Sequence, residues 1–437
     1  MADLAMTAPT PTSVRIPITV SATLAANEAL ARRRTRGEPV LPLAFGEAGL
    51  PVHPALRAAL ADAAGVNAYG PVAGLPSLRE AAAGYWSRRG LPTSAGDVVC
   101  GPGSKPLLYG LLLALGADVA VPKPSWVSYA AQATMIDSRP HFVATRPGQG
   151  GVPDPARLDQ AVAAARADGR HIASVVVTLP DNPTGTVASP DTVRDLCEVA
   201  AKHDLIIISD EIYRDLRHDP SAPFASPAAI APERTVVTAA LSKNLAVGGW
   251  RIGVARLPES GRAAAPARML RDRLLSIGSE IWSAPSGPIQ HAAAFAFAEP
   301  PELVEHVATS RRLHATVARA VAARMRAAGV AVPLPRAAFY LYPDFGPWRE
   351  LLLDRYRVST AEGLAGLLLD RYGAGMLPAS AFGEAPEALR LRVATGLLYG
   401  DTDEQRQTTL DSADPLGLPW ISSALARIEY LLADLRG

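Results

Sequence analysis

Lysine is nearly missing from this chain. It stands only at Lys105, Lys123, Lys202 and Lys243, four of 43 basic residues, so arginine supplies the other 39. Arginine evidently serves wherever bulk positive charge suffices. A lysine that persists is therefore a candidate for work a permanently protonated guanidinium cannot do, such as forming an imine. Lys202 falls in a helical stretch and reads as an ordinary helix residue. Net charge is also scarce: 43 basic against 42 acidic residues leave +1. That removes any global electrostatic reason to expect nucleic acid or an anionic membrane as a partner. Only two cysteines occur, Cys100 and Cys197, with no C-x-x-C. A zinc ribbon and a dithiol redox motif are excluded, no metal site is expected, and the usage fits a reduced compartment.

Long apolar runs are missing too. Leu111–Leu115 and Ile206–Ile208 fall far short of the roughly 20 residues that span a bilayer. The opening MADLAMTAPTPT has no positive n-region and no apolar h-region, so no secretory signal is expected. Together these features predict a soluble, cytoplasmic protein. There is no G-x-x-x-x-G-K and no H-E-x-x-H. Gly101-Pro102-Gly103 begins like a dinucleotide fingerprint, but Pro106 stands where the third glycine belongs.

What is present is a folded chain: 49% hydrophobic and 19% charged residues rule out disorder for most of its 437 residues. Residues 1–20 read as a tail or extended arm, and 21–36 as a helix with Ser21 at its cap. Val98–Cys100, Val119–Val121, Ser174–Leu179, Leu205–Ser209, Val236–Ala240 and Ile252–Val254 are continuous apolar runs rather than alternating ones. That is how strands buried on both faces of a parallel sheet read. Helical stretches separate them, including Lys105–Leu115, Pro155–Ala167 and Pro190–His203, the last with Ser189 at its cap. The alternation predicts an α/β unit with helices on both faces of the sheet. After about residue 300 the pattern changes to a long helix (301–328), a strand-like PLPRAAFYLYPDF, a helix (360–372), a strand-like LRLRVATG and a final helix (422–435). This predicts a smaller α+β unit. No internal repeats occur.

The chemistry-bearing signals follow one order: Tyr69-Gly70, Gly74, Gly101-Pro102-Gly103-Ser104-Lys105, Pro124-Ser125-Trp126, Asp181-Asn182-Pro183-Thr184-Gly185, Asp210-Glu211-Ile212-Tyr213, Ser242-Lys243, Gly249-Trp250-Arg251-Ile252-Gly253 and Arg390-Leu391-Arg392. The spacings are 28 residues from Asn182 to Asp210, 33 from Asp210 to Lys243 and 8 from Lys243 to Arg251. Any one tetrapeptide is weak; the ordered set is specific. Over residues 40–400 the sequence resembles the class I/II, fold-type I, pyridoxal-phosphate-dependent aminotransferases.

The resemblance implies a large cofactor-binding domain over 46–300 with a mixed, mostly parallel sheet. A small α+β domain would span 301–437, joined by an N-terminal arm over 1–45. It implies pyridoxal 5′-phosphate as cofactor and Lys243 as the Schiff-base lysine. Once freed, that amine would move a proton as general base and acid. Asp210, ending the run LIIIS, would sit at a strand's C-terminal edge and pair with the pyridine nitrogen. Tyr213 and Asn182 would donate to the cofactor's phenolic oxygen. Gly103, Ser104 and Lys105 at a helix start, with Ser242 and Arg251, would cradle the phosphate. Trp126 would stack on the ring. Arg390 would clamp the substrate's α-carboxylate, chosen over Arg392 on an R-x-x-x-A register, since strand alternation puts both on one face. Gly46 would line the substrate site. Tyr69 would reach the phosphate of a neighbouring subunit, making a homodimer with shared sites. Lys105 has a second reading, contact with an acidic substrate side chain, and both it and Lys123 have a plain one as solvated residues.

The expected activity is exchange of an amino group between an α-amino acid and a 2-oxo acid. Two alternatives stand beside it. One is another reaction of the same cofactor, an elimination or replacement at Cβ or Cγ, a cyclisation or an oxidation. It is fed by Ala379 where the family's loop has glycine, and by 25 residues (397–421) before the final helix. The other, a transcription regulator, would need a DNA-binding domain, and about 45 residues precede the family region.

Overall fold

The computed structural model describes residues 21–259 and 261–437; the tail or arm read over 1–20 lies outside them. Seven strands form the main sheet: β1 (Val98–Gly101), β2 (Asp118–Lys123), β3 (Pro140–Ala144), β4 (Ile172–Thr178), β5 (Ile206–Asp210), β6 (Thr235–Ala240) and β7 (Gly253–Arg256). Their order is β1-β7-β6-β5-β4-β2-β3. Strand β7 runs antiparallel to both of its neighbours and the other pairs are parallel, so the sheet is mixed and mostly parallel. The continuous apolar runs explain this burial. On β5, Ile206 and Ile208 face a cluster with the helix α1 (Ser104–Leu115) and the helix Leu270–Ile281. Leu205 and Ile207 face the opposite cluster with the helices Pro155–Ala167 and Pro190–Lys202. Burying one such isoleucine contributes roughly 1.5–3 kcal/mol, so neither face tolerates a polar swap cheaply. Ser189 caps its helix as read, its side chain accepting from the Thr192 amide at 3.2 Å, with Pro190 in the first turn.

Of the seven strands of the main sheet, the sequence reading omits one. β3 opens on proline and exposes Phe142 at 42%, and Val143 is its one buried residue. As an edge strand it needs no unbroken apolar run, so it carries none. The reading also overdraws a strand: within PLPRAAFYLYPDF the strand is Tyr340–Leu341, with isolated bridges at Ala337 and Asp344. It pairs antiparallel with Leu391–Ala394, which pairs in turn with Leu377–Pro378. This three-stranded sheet packs with the 27-residue helix Pro301–Ala327 and the final helix Pro419–Arg436. Leu41 and Leu43 join the same cluster, so the segment before residue 46 packs with the C-terminal part of the chain. Residues 397–421 hold a further helix, Asp403–Asp411. Among the described residues no helix is long and apolar enough to cross a membrane.

Candidate active site

The C-terminal ends of the parallel strands open onto one cavity of about 550 Å³, where open α/β sheets hold their ligands. Every parallel strand except the edge strand β3 delivers a residue there. Ser104 and Lys105 follow β1, Trp126 follows β2, Asn182 follows β4, Asp210 ends β5, and Ser242 and Lys243 follow β6. Arg251 comes from the turn before β7, and Arg392 from the strand Leu391–Ala394.

Lys243 is partly buried, and its Nζ donates to the Gly46 carbonyl oxygen. Burial, reinforced by the Arg392 charge, lowers its pKa to about 8. A usable fraction of the free amine therefore exists near neutral pH, as a nucleophile and base requires. Asp210 is buried. It accepts from the Tyr129 hydroxyl at 2.9 Å and from the Thr238 hydroxyl at 3.2 Å. Burial raises its pKa to about 6, and among the described residues no cation pairs with it. A carboxylate in that position calls for a positive partner from outside the chain.

At one end of the cavity Gly103, at φ +104°, begins α1 with no side-chain cap, so the first-turn amides stay available. Glycine is required there for the backbone angle, and a Cβ would lie 2.5 Å from Arg251 Nη2 and push that side-chain end aside. Lys105 sits close enough to Arg251 that the like charge, after burial, lowers its pKa. Two cations, a helix N-terminus and the Ser104 and Ser242 hydroxyls on one wall, with no carboxylate among them, make a site for a multiply charged anion.

Arg392, also on the cavity lining, is 1% exposed. Its Nη1 donates to Asn182 Oδ1 at 3.2 Å and its Nη2 to the Ala44 carbonyl, and Nε has no partner among the described residues. A buried guanidinium met by neutral acceptors alone is poised for a carboxylate. Arg390, the residue expected from the sequence, is placed differently. Arg390 shares the strand's face but lies at its outer end, where Asp344 at 2.9 Å and Glu384 at 2.6 Å already neutralise it. It does not line the cavity.

Gly46, Trp126 and Tyr213 line the cavity. Tyr69 does not reach the cavity of its own chain; it is 94% exposed. Sequence reasoning passed over Tyr129, Tyr340 and Glu47, all on the cavity wall. Tyr129 lies three residues after Trp126, one helical turn on, which was the available signal.

The site thus combines an activated amine, a buried carboxylate, an anion cradle and a separate buried guanidinium. Comparison with known proteins agrees with that inventory. Residues 38–398 match the aminotransferase class I and II family.

The chain belongs to that family.

It is 31% identical to an aspartate aminotransferase of Geobacillus stearothermophilus over 400 residues, 89% of this chain and 95% of that one. It is 30% identical to a probable aspartate/prephenate aminotransferase of Thermus aquaticus, over 86% of this chain and 92% of the relative. Among solved structures, the aspartate aminotransferase from Thermus thermophilus with maleate superposes with a TM-score of 0.78 at 26% identity. That match covers 94% of this chain and 97% of the other. The protein is a pyridoxal-phosphate-dependent aminotransferase of fold type I, acting on an amino acid and a 2-oxo acid. The cradle at Gly103 and Arg251 fits the cofactor's phosphate, and unpaired Asp210 fits its protonated ring nitrogen.

Proposed function

We propose that Lys243 is the lysine that carries the cofactor and that Arg392 receives the substrate's α-carboxylate. The free amine of Lys243 facing the Asp210 carboxylate across one cavity carries this reading. When bound, the cofactor supplies an aldehyde carbon for the amine and a ring that accepts the electron pair left when Cα loses its proton. Arg251, Ser104, Ser242 and the α1 N-terminus hold the phosphate. Asp210, oriented by Tyr129 and Thr238, keeps the ring nitrogen protonated. Trp126 covers the ring, and Tyr213 and Asn182 donate to the phenolic oxygen. Lys243, free of the cofactor once substrate is bound, would take the proton from Cα and deliver it across the amino nitrogen to the cofactor's aldehyde carbon. Arg392 holds the carboxylate so that the Cα–H points at that amine. Tyr69, an exposed aromatic, reaches the site of a second copy, making the working unit a homodimer. The chain divides into a large domain over 46–300 and a small one over 301–437 with the N-terminal arm. Two buried free cysteines suit residence in the cytoplasm.

The arginine assignment has a direct test. Arg392→Gln is expected to raise KM for the amino donor by about 100-fold, the loss of a charge-assisted bidentate pair in a buried site. Arg390→Gln should leave KM within about threefold. Steady-state kinetics of both variants decide it, and a large effect confined to Arg390→Gln would restore the original choice.

The amino donor we propose is a dicarboxylic amino acid such as aspartate. The names of the two relatives support it, and so does Lys105. Its Nζ lies 5.0 Å from the Trp126 ring centroid on the cavity wall, with no carboxylate partner among the described residues. With 2-oxoglutarate as acceptor, kcat/KM for aspartate should exceed that for alanine by at least about tenfold. Lys105→Met should remove about tenfold from aspartate and little from alanine. Equal losses would assign Lys105 to the phosphate instead.

A further inference from the structure

Tyr340 stands where the cavity's hydrogen bonds converge, and none of the roles above uses it. It is 1% exposed, and its hydroxyl lies 2.8 Å from that of Tyr213. Arg392 lies over its ring at 5.1 Å from the centroid. Its hydroxyl so closely backs Gly46 that a Cβ there would collide with it.

The donors can be counted. Each tyrosine hydroxyl has one proton and can accept as well. Between two hydroxyls at 2.8 Å one must donate. If Tyr213 gives its proton to the cofactor's phenolic oxygen, the proton between the two tyrosines has to be Tyr340's. The competing acceptor for Tyr340 is the Gly46 carbonyl at 3.5 Å, a poor distance, and Lys243 Nζ already donates to that oxygen. Burial raises the Tyr340 pKa, which keeps its proton in place to be donated, and Arg392 against the ring offsets part of that rise.

We propose that Tyr340 is a positioning residue: it donates to Tyr213, which aims the Tyr213 proton at the cofactor and strengthens that donation. The inference rests on the reading of Tyr213 given above. Its consequence is electronic. A hydroxyl that accepts one hydrogen bond donates a stronger one, so the Tyr340–Tyr213 pair stabilises the cofactor's phenolate and keeps the Lys243–cofactor linkage deprotonated at working pH.

The test is the pH titration of the visible band of the cofactor-loaded protein. Wild type, Tyr340→Phe, Tyr213→Phe and the double variant are compared, with cofactor content per chain checked after borohydride reduction. Tyr340→Phe keeps the ring and its packing. It is expected to move the titration midpoint upward, a roughly two- to tenfold gain in proton affinity. In the Tyr213→Phe background the same change should have no effect, because the hydroxyl it acts through is gone. A midpoint that stays put or falls in Tyr340→Phe, while Tyr213→Phe shifts it, overturns this inference alone. An equal Tyr340→Phe shift in both backgrounds also overturns it. A midpoint unmoved by Tyr213→Phe itself removes the underlying reading as well.

Discussion

Lys243→Ala is expected to erase the visible absorbance of the cofactor-loaded protein and to lower turnover by at least about 10⁴-fold, the combined loss of a covalent attachment point and of the proton-moving base. Among the described residues the cavity holds two lysines, Lys105 and Lys243. Lys105 lies beside Arg251 and is proposed above to meet the substrate's second carboxylate as a cation. Lys243 alone combines a pKa lowered to about 8 with a place in the turn after β6, beside the strand that ends in Asp210. The variant should not lose stability. Burial already disfavours the ammonium, so removing it relieves the folded state at neutral pH. A melting temperature at or above wild type would show that lost activity is lost chemistry. Borohydride reduction followed by peptide mass mapping locates the attachment. A persistent band with label on Lys105, Lys123 or Lys202 would sink the assignment.

The sheet and its cofactor end were legible because each depends on local sequence. Ile206, Ile207 and Ile208 form an unbroken run that a strand buried on both faces demands, and Asp210 ends it. Gly103 is needed for its backbone angle at the start of α1. Arg390 and Arg392 were not separable, because alternation gives both the same face. What distinguishes them is Asp344 and Glu384, brought to Arg390 from 46 and 6 residues away. No spacing rule carries that. Tyr340 was hidden for the same reason. Its meaning comes from Tyr213, 127 residues distant, and from Gly46 on the N-terminal segment. Strand β3 escaped because an edge strand with one buried side chain has a sequence like a loop. Local backbone demands write themselves into sequence; partnerships made by folding do not.

Asp210→Asn is expected to push stability and activity in opposite directions. Burial raises the Asp210 pKa from 3.8 to about 6. The sign follows from proton binding: between those values the folded, cofactor-free protein holds a proton the unfolded chain has released. Stability from this group is therefore full below about pH 4 and is lost as pH rises through about 6. Two units correspond to about 3 kcal/mol. Asp181, also buried and raised to about 7, adds a slope of the same sign, but it does so in both proteins, so the difference between them isolates Asp210. Cofactor-free Asp210→Asn should then be more stable than wild type at pH 7.5, by up to about 3 kcal/mol in denaturant unfolding, and equal to it near pH 4. The Tyr129 hydroxyl can keep its 2.9 Å partner Thr178 and the Thr238 hydroxyl its partner at this position, so the amide fits. With cofactor bound the balance reverses. The neutral amide cannot hold a proton on the ring nitrogen, and turnover should fall by about 10³-fold, the scale on which a buried charge partner at a reacting centre acts. A site built for catalysis carries an unpaired carboxylate at a cost to the empty fold, and the cofactor relieves it. A variant that is less stable when empty yet fully active when loaded would mean that Asp210 is a structural acid and that the ring nitrogen finds its partner elsewhere.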